Sequence, residues 1–150
     1  DKYGEFTPCL YYRGLVLVTW TRAPEQEWYV EIDDMLHETE AHQHLYTDGL
    51  GGPDTKCSRE RRIGWAVVEI TAGMEVSAVK AGNQPGIKQT VPAAGLHAAK
   101  EAVDMATSPH VTIDTDSNVV YRGWDKKRHN SNHQQWHDIA QAKEAAKSRG

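Results

Sequence analysis

Two aspartates, Asp48 and Asp116, each end a run of β-branched or aromatic residues, Leu45–Thr47 and Val111–Thr115 respectively. A divalent cation that assists phosphodiester hydrolysis needs hard oxygen ligands from several elements, and acidic strand ends that meet in one crevice can supply them. An Asp-Gly pair after a strand is also a common turn, because both residues tolerate turn dihedrals. The two aspartates are therefore candidate metal ligands whose meaning depends on the surrounding elements.

The surrounding elements alternate between strand and helix. Ile63–Ile70 and Met74–Ala81 are short β runs joined by a glycine-containing turn, which is typical of a hairpin. Apolar residues at helical spacing predict a helix over Ala93–Met105, with a proline directly before it in the first turn. A terminal helix is predicted after Ser131 or Asn132, either of which can act as its N-cap.

Residues 1–43 have a character of their own and are predicted to form an N-terminal extension. Their segments 9–20 and 28–32 are rich in β-branched and aromatic residues, which indicates extended structure. Between that second segment and the first strand, Asp33–His42 is predicted to form a short acidic helix or a linker.

Five segments, in order along the chain, resemble the type 1 ribonuclease H family, in particular the form embedded in retroelement polyproteins of unicellular eukaryotes. The third segment matches a family helix opening that reads Gln-Thr-Val-Pro-Arg-Ala-Glu-Leu. The resemblance implies an α/β domain over residues 44–150. Its mixed sheet would have strands one to three antiparallel and strand four parallel beside strand one, with flanking helices. The matching segments are residues 46–52, 61–68, 89–96, 115–124 and 132–136.

The departures from the family pattern fall on the residues that carry its chemistry. The family's fifth strand, its loop with a catalytic histidine and its last acidic helix would lie beyond Gly150, so the resemblance implies a sheet without the fifth strand. Of the four carboxylates that the family uses, only those of Asp48 and Asp116 are present. The substituted positions are Leu50 for Ser, Ala93 for Arg, Gly95 for the helix Glu and Gln134 for Asp.

The resemblance therefore implies that Asp48 and Asp116 are vestigial catalytic residues with weak metal affinity. Two-metal hydrolysis needs two cations fixed a few ångströms apart, and two carboxylates cannot fix both of them. Asp114 is a further candidate ligand, because strand alternation places it on the same face as Asp116. Glu101 is excluded as a substitute for Gly95, because six residues at 100° each place it well round the helix. We therefore expect no cofactor, and Mg²⁺ only if the chain is an enzyme.

Composition limits the classes of protein to which the chain can belong. Its 150 residues and 16.8 kDa correspond to one domain, and a mean hydropathy of −0.68 indicates a soluble protein. No apolar run approaches the ~20 residues of a membrane span. Cys9 and Cys57 are interpreted as free thiols, which favours an intracellular, reducing compartment. Because the chain begins at Asp1 and not at Met, removal of an organellar targeting peptide is also consistent with the sequence.

The net charge of −4 disfavours general affinity for nucleic acid, which depends on Lys and Arg contacts with phosphates. Basic residues are nevertheless clustered in two patches, around Arg61 and Arg62 and in Lys126-Lys127-Arg128. The second patch lies where ribonuclease H enzymes carry a basic protrusion that grips the hybrid. These residues are candidate nucleic-acid contacts, and a solvated loop is the simpler interpretation of the second patch.

The eight histidines raise the question of a zinc site. His133 and His137 lie four residues apart on one helical face, and His37, His42 and His44 are clustered before the first strand. Neither group has a cysteine nearby, so polar surface histidines are the alternative. The five tryptophans could stack on bases, but they are more typical of core or interface anchors.

Three functions remain open. The first is a catalytically inactive ribonuclease H-like domain that serves as an accessory or structural subunit of a larger protein assembly. The second is a metal-dependent endonuclease that hydrolyses RNA in RNA/DNA hybrids, and the third is a non-catalytic nucleic-acid-binding domain. The lost ligands and the acidic charge favour the first, whose partners would be protein subunits.

Overall fold

The computed structural model describes residues 27–31, 42–51, 62–86 and 88–149, with the backbone alone for the first of these ranges. Some sequence predictions concern residues outside these ranges, and the structure does not address them. They are the extended segment 9–20, the acidic segment from Asp33, the thiols of Cys9 and Cys57, His37 in the histidine cluster, and Arg61 in the first basic patch.

The described strands form one five-stranded mixed sheet in the order β1-β4-β3-β2-β5. The strands are β1 (Glu27–Glu31), β2 (Gln43–Gly51), β3 (Ile63–Ile70), β4 (Val76–Asn83) and β5 (Val111–Thr115). β2, β3 and β4 pair antiparallel, and β5 pairs parallel with β2. This confirms the sheet that the family resemblance implies.

The two edges of the sheet differ from each other. β1 comes from the predicted N-terminal extension and pairs antiparallel with β4. It adds to that edge a strand that the resemblance does not imply. At the other edge, no strand of the described residues pairs with the outer side of β5. The predicted start of β4 at Met74 is wrong: Met74 has a φ of 63° and donates its amide to Thr71 O at 2.9 Å, so it belongs to the turn.

Three helices are described: α1 (Val91–Met105), α2 (Asn118–Gly123) and α3 (His133–Ser148). Thr90 caps α1 by accepting a hydrogen bond from Ala93 N. Asn132 occupies the N-cap position of α3, but its side chain makes no capping hydrogen bond. Its φ is 54°, whereas an N-cap side chain reaches the first amides of a helix from an extended backbone. None of the described helices has the length and apolar content that crossing a bilayer requires.

The core lies between the sheet and the helices. Strand alternation turns every second residue of β2 and β3 towards α1, and small alanines on α1 allow the helix to approach the sheet closely. A second cluster joins α1, α2 and α3 around Trp136. The first cluster contains Leu45, Ile63, Trp65, Val67, Ala94, Ala98 and Ala102.

Candidate metal site and the surfaces around it

Asp48 and Asp116 lie side by side at the junction of β2 and β5. Thr47 is paired with Thr115 in the parallel register, so the residue after each of them is one of the two aspartates. Neighbouring strands are about 4.8 Å apart, which brings the two carboxylates to the same edge of the sheet. Both side chains are exposed. The structure thus brings together the two aspartates that the sequence singled out.

Asp114 precedes Asp116 by two residues and lies on the same face of β5. It is paired with Tyr46 of β2, and its side chain is exposed. Alternate residues of a strand are about 6.5–7 Å apart, so a cation held between Asp48 and Asp116 would be poorly placed for direct coordination by Asp114 as well. Its carbonyl oxygen accepts a hydrogen bond from Thr47 Oγ1 at 3.2 Å, which fastens β5 to β2.

At Gly95, where the resemblance would place a third carboxylate, the structure has a close contact between Gly95 and Gly49. A Cβ atom at Gly49 would lie 2.7 Å from Gly95 N, so α1 and β2 approach each other too closely for a side chain at Gly49. A Cβ atom at Gly95 would lie 3.2 Å from Ser117 Oγ and 3.3 Å from Ser117 Cβ. Gly95 is therefore packed against the residue that caps α2, and a larger side chain requires Ser117 to shift.

The residues present do not fit a pair of divalent cations. Among the described parts of the chain, no group of three or more His, Cys, Asp or Glu side chains is arranged to hold a metal ion. A cation pair needs several anionic oxygens from more than two elements, because each ligand fixes one direction of the coordination shell. The Asp48–Asp116 edge supplies two carboxylates, which can at most hold a largely hydrated single ion.

Glu101 takes part in a buried ionic cluster on α1 and is not a metal ligand. Its side chain is 4% exposed, pairs with Lys80 of β4, and accepts a hydrogen bond from Lys100 Nζ at 2.9 Å. Burial opposes ionisation of Glu101, but the hydrogen bonds from Lys80 and Lys100 outweigh it and lower the pKa of the carboxyl. Lys100 also pairs with Asp104 at 2.7 Å; burial alone would lower the pKa of Lys100, and the two carboxylates raise it instead. No pattern in the sequence predicted the pairing of Glu101 with Lys80.

The second basic patch borders a cleft beside α2. Lys126 and Arg128 line this cleft together with Arg122 and His129, and its volume is about 310 Å³. His129 also stacks on Trp136, with ring centroids 4.0 Å apart and planes inclined by 10°. The sequence patch is thus part of a larger basic surface to which α2 contributes Arg122.

The remaining basic candidates lie elsewhere or outside the described residues. Lys127 is exposed and does not line the cleft. Arg62 directly precedes β3 and so belongs to a different element of the fold. Arg61 lies outside the described residues.

The histidines do not assemble a zinc site in the described part of the chain. His133 and His137 are exposed on α3. His42 stacks on His44 with centroids 4.7 Å apart and faces His110 at 6.5 Å, because parallel pairing sets the starts of β2 and β5 side by side. The stack with His110 joins residues far apart in sequence, and the spacing of the histidines alone could not reveal it.

Among the comparisons with known proteins, the one with solved structures bears on the architecture. No family model matches the chain, and no curated protein matches it. The native structure of the prototype foamy virus protease-reverse transcriptase matches with a TM-score of 0.53 and 21% identity over 69% of this chain. The fold is ribonuclease H-like. At this identity the similarity concerns the fold alone.

Two further structures of the foamy viral protease-reverse transcriptase match the ribonuclease H-like domain. The complex with an RNA/DNA hybrid gives a TM-score of 0.53 and 18% identity over 71% of this chain. The complex with double-stranded DNA gives 0.51 and 20% over 67% of this chain, and 72% of that chain is covered. For the native and hybrid structures, this chain spans 16% of the viral protein's length.

Proposed function

We propose that this ribonuclease H-like domain is catalytically inactive and serves as an accessory or structural subunit of a larger protein assembly. The observation that carries the proposal is the composition of the candidate metal site. It holds Asp48 and Asp116, while Gly95 is packed against Ser117 where the family's helix carboxylate would be. A domain that keeps its sheet but lacks the metal-binding carboxylates can still bind other proteins, but it is not suited to hydrolysis.

The chemical argument rests on how accurately the cations must be placed. Two-metal hydrolysis stabilises the attacking and the leaving oxygen at the same time, so both ions need fixed positions. Displacement of a reacting group by ~1 Å can lower the rate on the order of a hundredfold. With two exposed carboxylates, each ion would keep most of its water shell and would not be fixed at that accuracy.

The test is single-turnover cleavage of a labelled RNA/DNA hybrid with the protein in large excess, in Mg²⁺ and in Mn²⁺. We expect the chain and its Asp48→Asn variant to give the same background of cleavage. Cleavage that depends on the metal and disappears in Asp48→Asn would overturn the proposal and establish a metal-dependent endonuclease. A commercial ribonuclease H on the same hybrid serves as the positive control.

The assembly part of the proposal has a test of its own. The chain, tagged and expressed in the cells it comes from, should elute from a sizing column in a complex far larger than 16.8 kDa. It should keep the same partners after nuclease treatment, because the contacts are between proteins. Elution as a free monomer from a gently prepared lysate would contradict the accessory role without bearing on the catalytic result.

A second candidate function is non-catalytic binding of nucleic acid. The basic cleft lined by Arg122, Lys126 and Arg128 supports it, and two similar structures contain an RNA/DNA hybrid and double-stranded DNA. Affinity for a hybrid duplex should then fall steeply with salt, and Lys126→Gln should flatten this dependence by about one unit of log-log slope. Lys147→Gln, on an exposed part of α3, is the charge-matched control and should leave the slope unchanged. Failure to bind at low salt would exclude this candidate.

A further inference from the structure

Three histidines lie together where β2 and β5 begin. His42 and His110 directly precede these strands, and Gln43 N donates to His110 O at 2.9 Å, which aligns the two strand starts. His44 follows two residues after His42, and alternate residues of a strand share a face of the sheet. Gln43 between them donates its side-chain amide to Met105 O at the end of α1, so both imidazoles project from the face opposite α1. The ring of His110 faces that of His42, so two strands bring three imidazoles to one surface.

The distances between the rings are close to those of a metal site. Three imidazoles on a tetrahedral zinc ion, with Zn–N bonds of about 2.0–2.1 Å, have ring centroids roughly 5 Å apart. The centroid of His42 lies 4.7 Å from that of His44 and 6.5 Å from that of His110. The first separation already fits an ion shared by two rings, and the second has to shorten by about 1.5 Å.

The rings are stacked, so their nitrogen atoms do not point to one position before an ion binds. The ring of His42 is inclined by 26° to that of His44 and by 21° to that of His110, and no three-ligand group is preformed in the described part of the chain. His42 and His110 are exposed, so each can adopt another rotamer while the paired strands keep their positions. Convergence of the three rings on an ion therefore requires side-chain rotations alone.

Thr112 orients one of the three rings for this role. Its Oγ1 atom, on the neighbouring strand, lies 2.7 Å from His42 Nε2. When Nε2 donates its proton to this hydroxyl, Nδ1 of His42 carries the lone pair that a metal ion requires. Histidine ligands of metal ions usually donate their other N–H in this way, which fixes the tautomer and the orientation of the ring.

We propose that His42, His44 and His110 bind one divalent transition-metal ion of the zinc type, which draws the three rings together and keeps water in its fourth position. Imidazole nitrogen suits Zn²⁺, Cu²⁺ and Ni²⁺, whereas Mg²⁺ prefers oxygen ligands and Mn²⁺ is the weakest binder of the first-row series. The bound ion would fasten the start of β5 to the start of β2.

This site is separate from the two aspartates in place and in chemistry. Asp48 and Asp116 follow the last residue pair of the β2–β5 ladder, whereas the histidines lie at its first pair. The aspartates offer oxygen ligands alone, so the two places select different classes of cation. The inference goes beyond the proposed function and does not depend on it.

The experiment is calorimetric titration of the full, untagged chain with ZnCl₂ in a buffer that does not bind metal ions. We expect one Zn²⁺ per chain with a dissociation constant in the micromolar range. His110→Gln should weaken binding by about tenfold or more, because it removes one of three ligands, and His42→Gln should have the same effect. His133→Gln is the matched control: it removes an exposed histidine of α3 and should change the affinity less than twofold.

Nuclear magnetic resonance identifies the ligands without any substitution. The ring signals of His42, His44 and His110 should move together and reach their end point at one Zn²⁺ per chain. The ring signals of His129, which stacks on Trp136, should stay in place.

Four results would overturn the metal site. They are no binding at micromolar concentration, equal affinity in His110→Gln and the native chain, loss of binding in His133→Gln, and loss of binding when Cys9 and Cys57 are both replaced by Ser. The last result would assign the ion to thiolates. Circular dichroism without metal establishes that each variant folds. None of these results bears on the hybrid-cleavage or sizing experiments, so the proposed function is judged separately.

Discussion

Substitution of Glu101 by Gln tests whether the ionic cluster between α1 and β4 stabilises the fold. Glu101 is 4% exposed and pairs with Lys80, whose side chain is 22% exposed. Lys100 donates to the same carboxylate, and His97 Nε2 lies 3.6 Å from it. Glu101→Gln keeps the shape of the side chain and removes the negative charge that pairs with Lys80 and Lys100.

The expected cost is about 2–3 kcal/mol of unfolding free energy at pH 7. Removing one partner of a fully buried pair costs about 3–5 kcal/mol, and the cost is smaller here because Lys80 retains some access to water and the amide oxygen still accepts a hydrogen bond. For a domain of this size, the loss corresponds to a decrease in Tm of about 5–10 °C. The exposed pair of Glu144 and Lys147 provides the control, because Glu144→Gln should cost less than about 0.5 kcal/mol.

The pH dependence gives the prediction its sign. The pKa of Glu101 is lower in the folded chain than its ordinary value of 4.5, so the stabilisation is fully present above pH 4.5 and is lost as the pH falls through the folded pKa. The difference in Tm between the native chain and Glu101→Gln should therefore be largest near pH 7 and shrink below pH 4.5. Calorimetry from pH 7 to pH 3 measures it. A difference that is constant over this range, or no larger than that of Glu144→Gln, would refute the reasoning.

Two further substitutions test the packing that positions the helices. Gly123→Ala should lower the free energy of unfolding by about 1–3 kcal/mol, because the added Cβ would lie 2.1 Å from Trp136 Cζ2. Gly64→Ala is the control and should leave Tm within 2 °C, because the nearest atom to its added Cβ is 3.6 Å away. Equal decreases in Tm for the two variants would contradict the close contact between Gly123 and Trp136. Gln89→Ala should cost about 2–4 kcal/mol in urea unfolding, because the buried amide of Ile63 loses its acceptor at 3.0 Å and two loop carbonyls lose their donor. An unchanged urea midpoint would show that this buried network does not stabilise the fold.

Sequence patterns predicted most of the sheet and its helices because their physical causes are local. The bounds of β3 match the alternating run Ile63–Ile70, and proline in the first turn marks the start of α1 within two residues. The side-by-side position of Asp48 and Asp116 came from the family resemblance and is confirmed by the parallel register of β2 and β5. Strand order depends on contacts between distant segments, so periodicity alone could not supply it.

The features that the sequence did not reveal all depend on distant partners. Lys80 meets Glu101 only because β4 lies beside β3 in the sheet on which α1 packs. Gly95 is close to Ser117 only because α1 crosses the start of α2. The capping prediction at Asn132 was wrong in its geometry, because the left-handed backbone differs from the conformation in which the side chain reaches the first turn. In each case the sequence identifies the residue type, and the tertiary contact decides its role.

The central claim, that the Asp48–Asp116 edge cannot fix two cations, is tested most directly by titrating the protein with Mn²⁺ and measuring the free ion by electron paramagnetic resonance. Two exposed carboxylates predict at most one weakly bound ion per chain, with a dissociation constant on the order of millimolar or weaker, and a modest further loss in Asp48→Asn. Binding of two ions per chain at micromolar concentration, abolished by Asp48→Asn, would contradict the account.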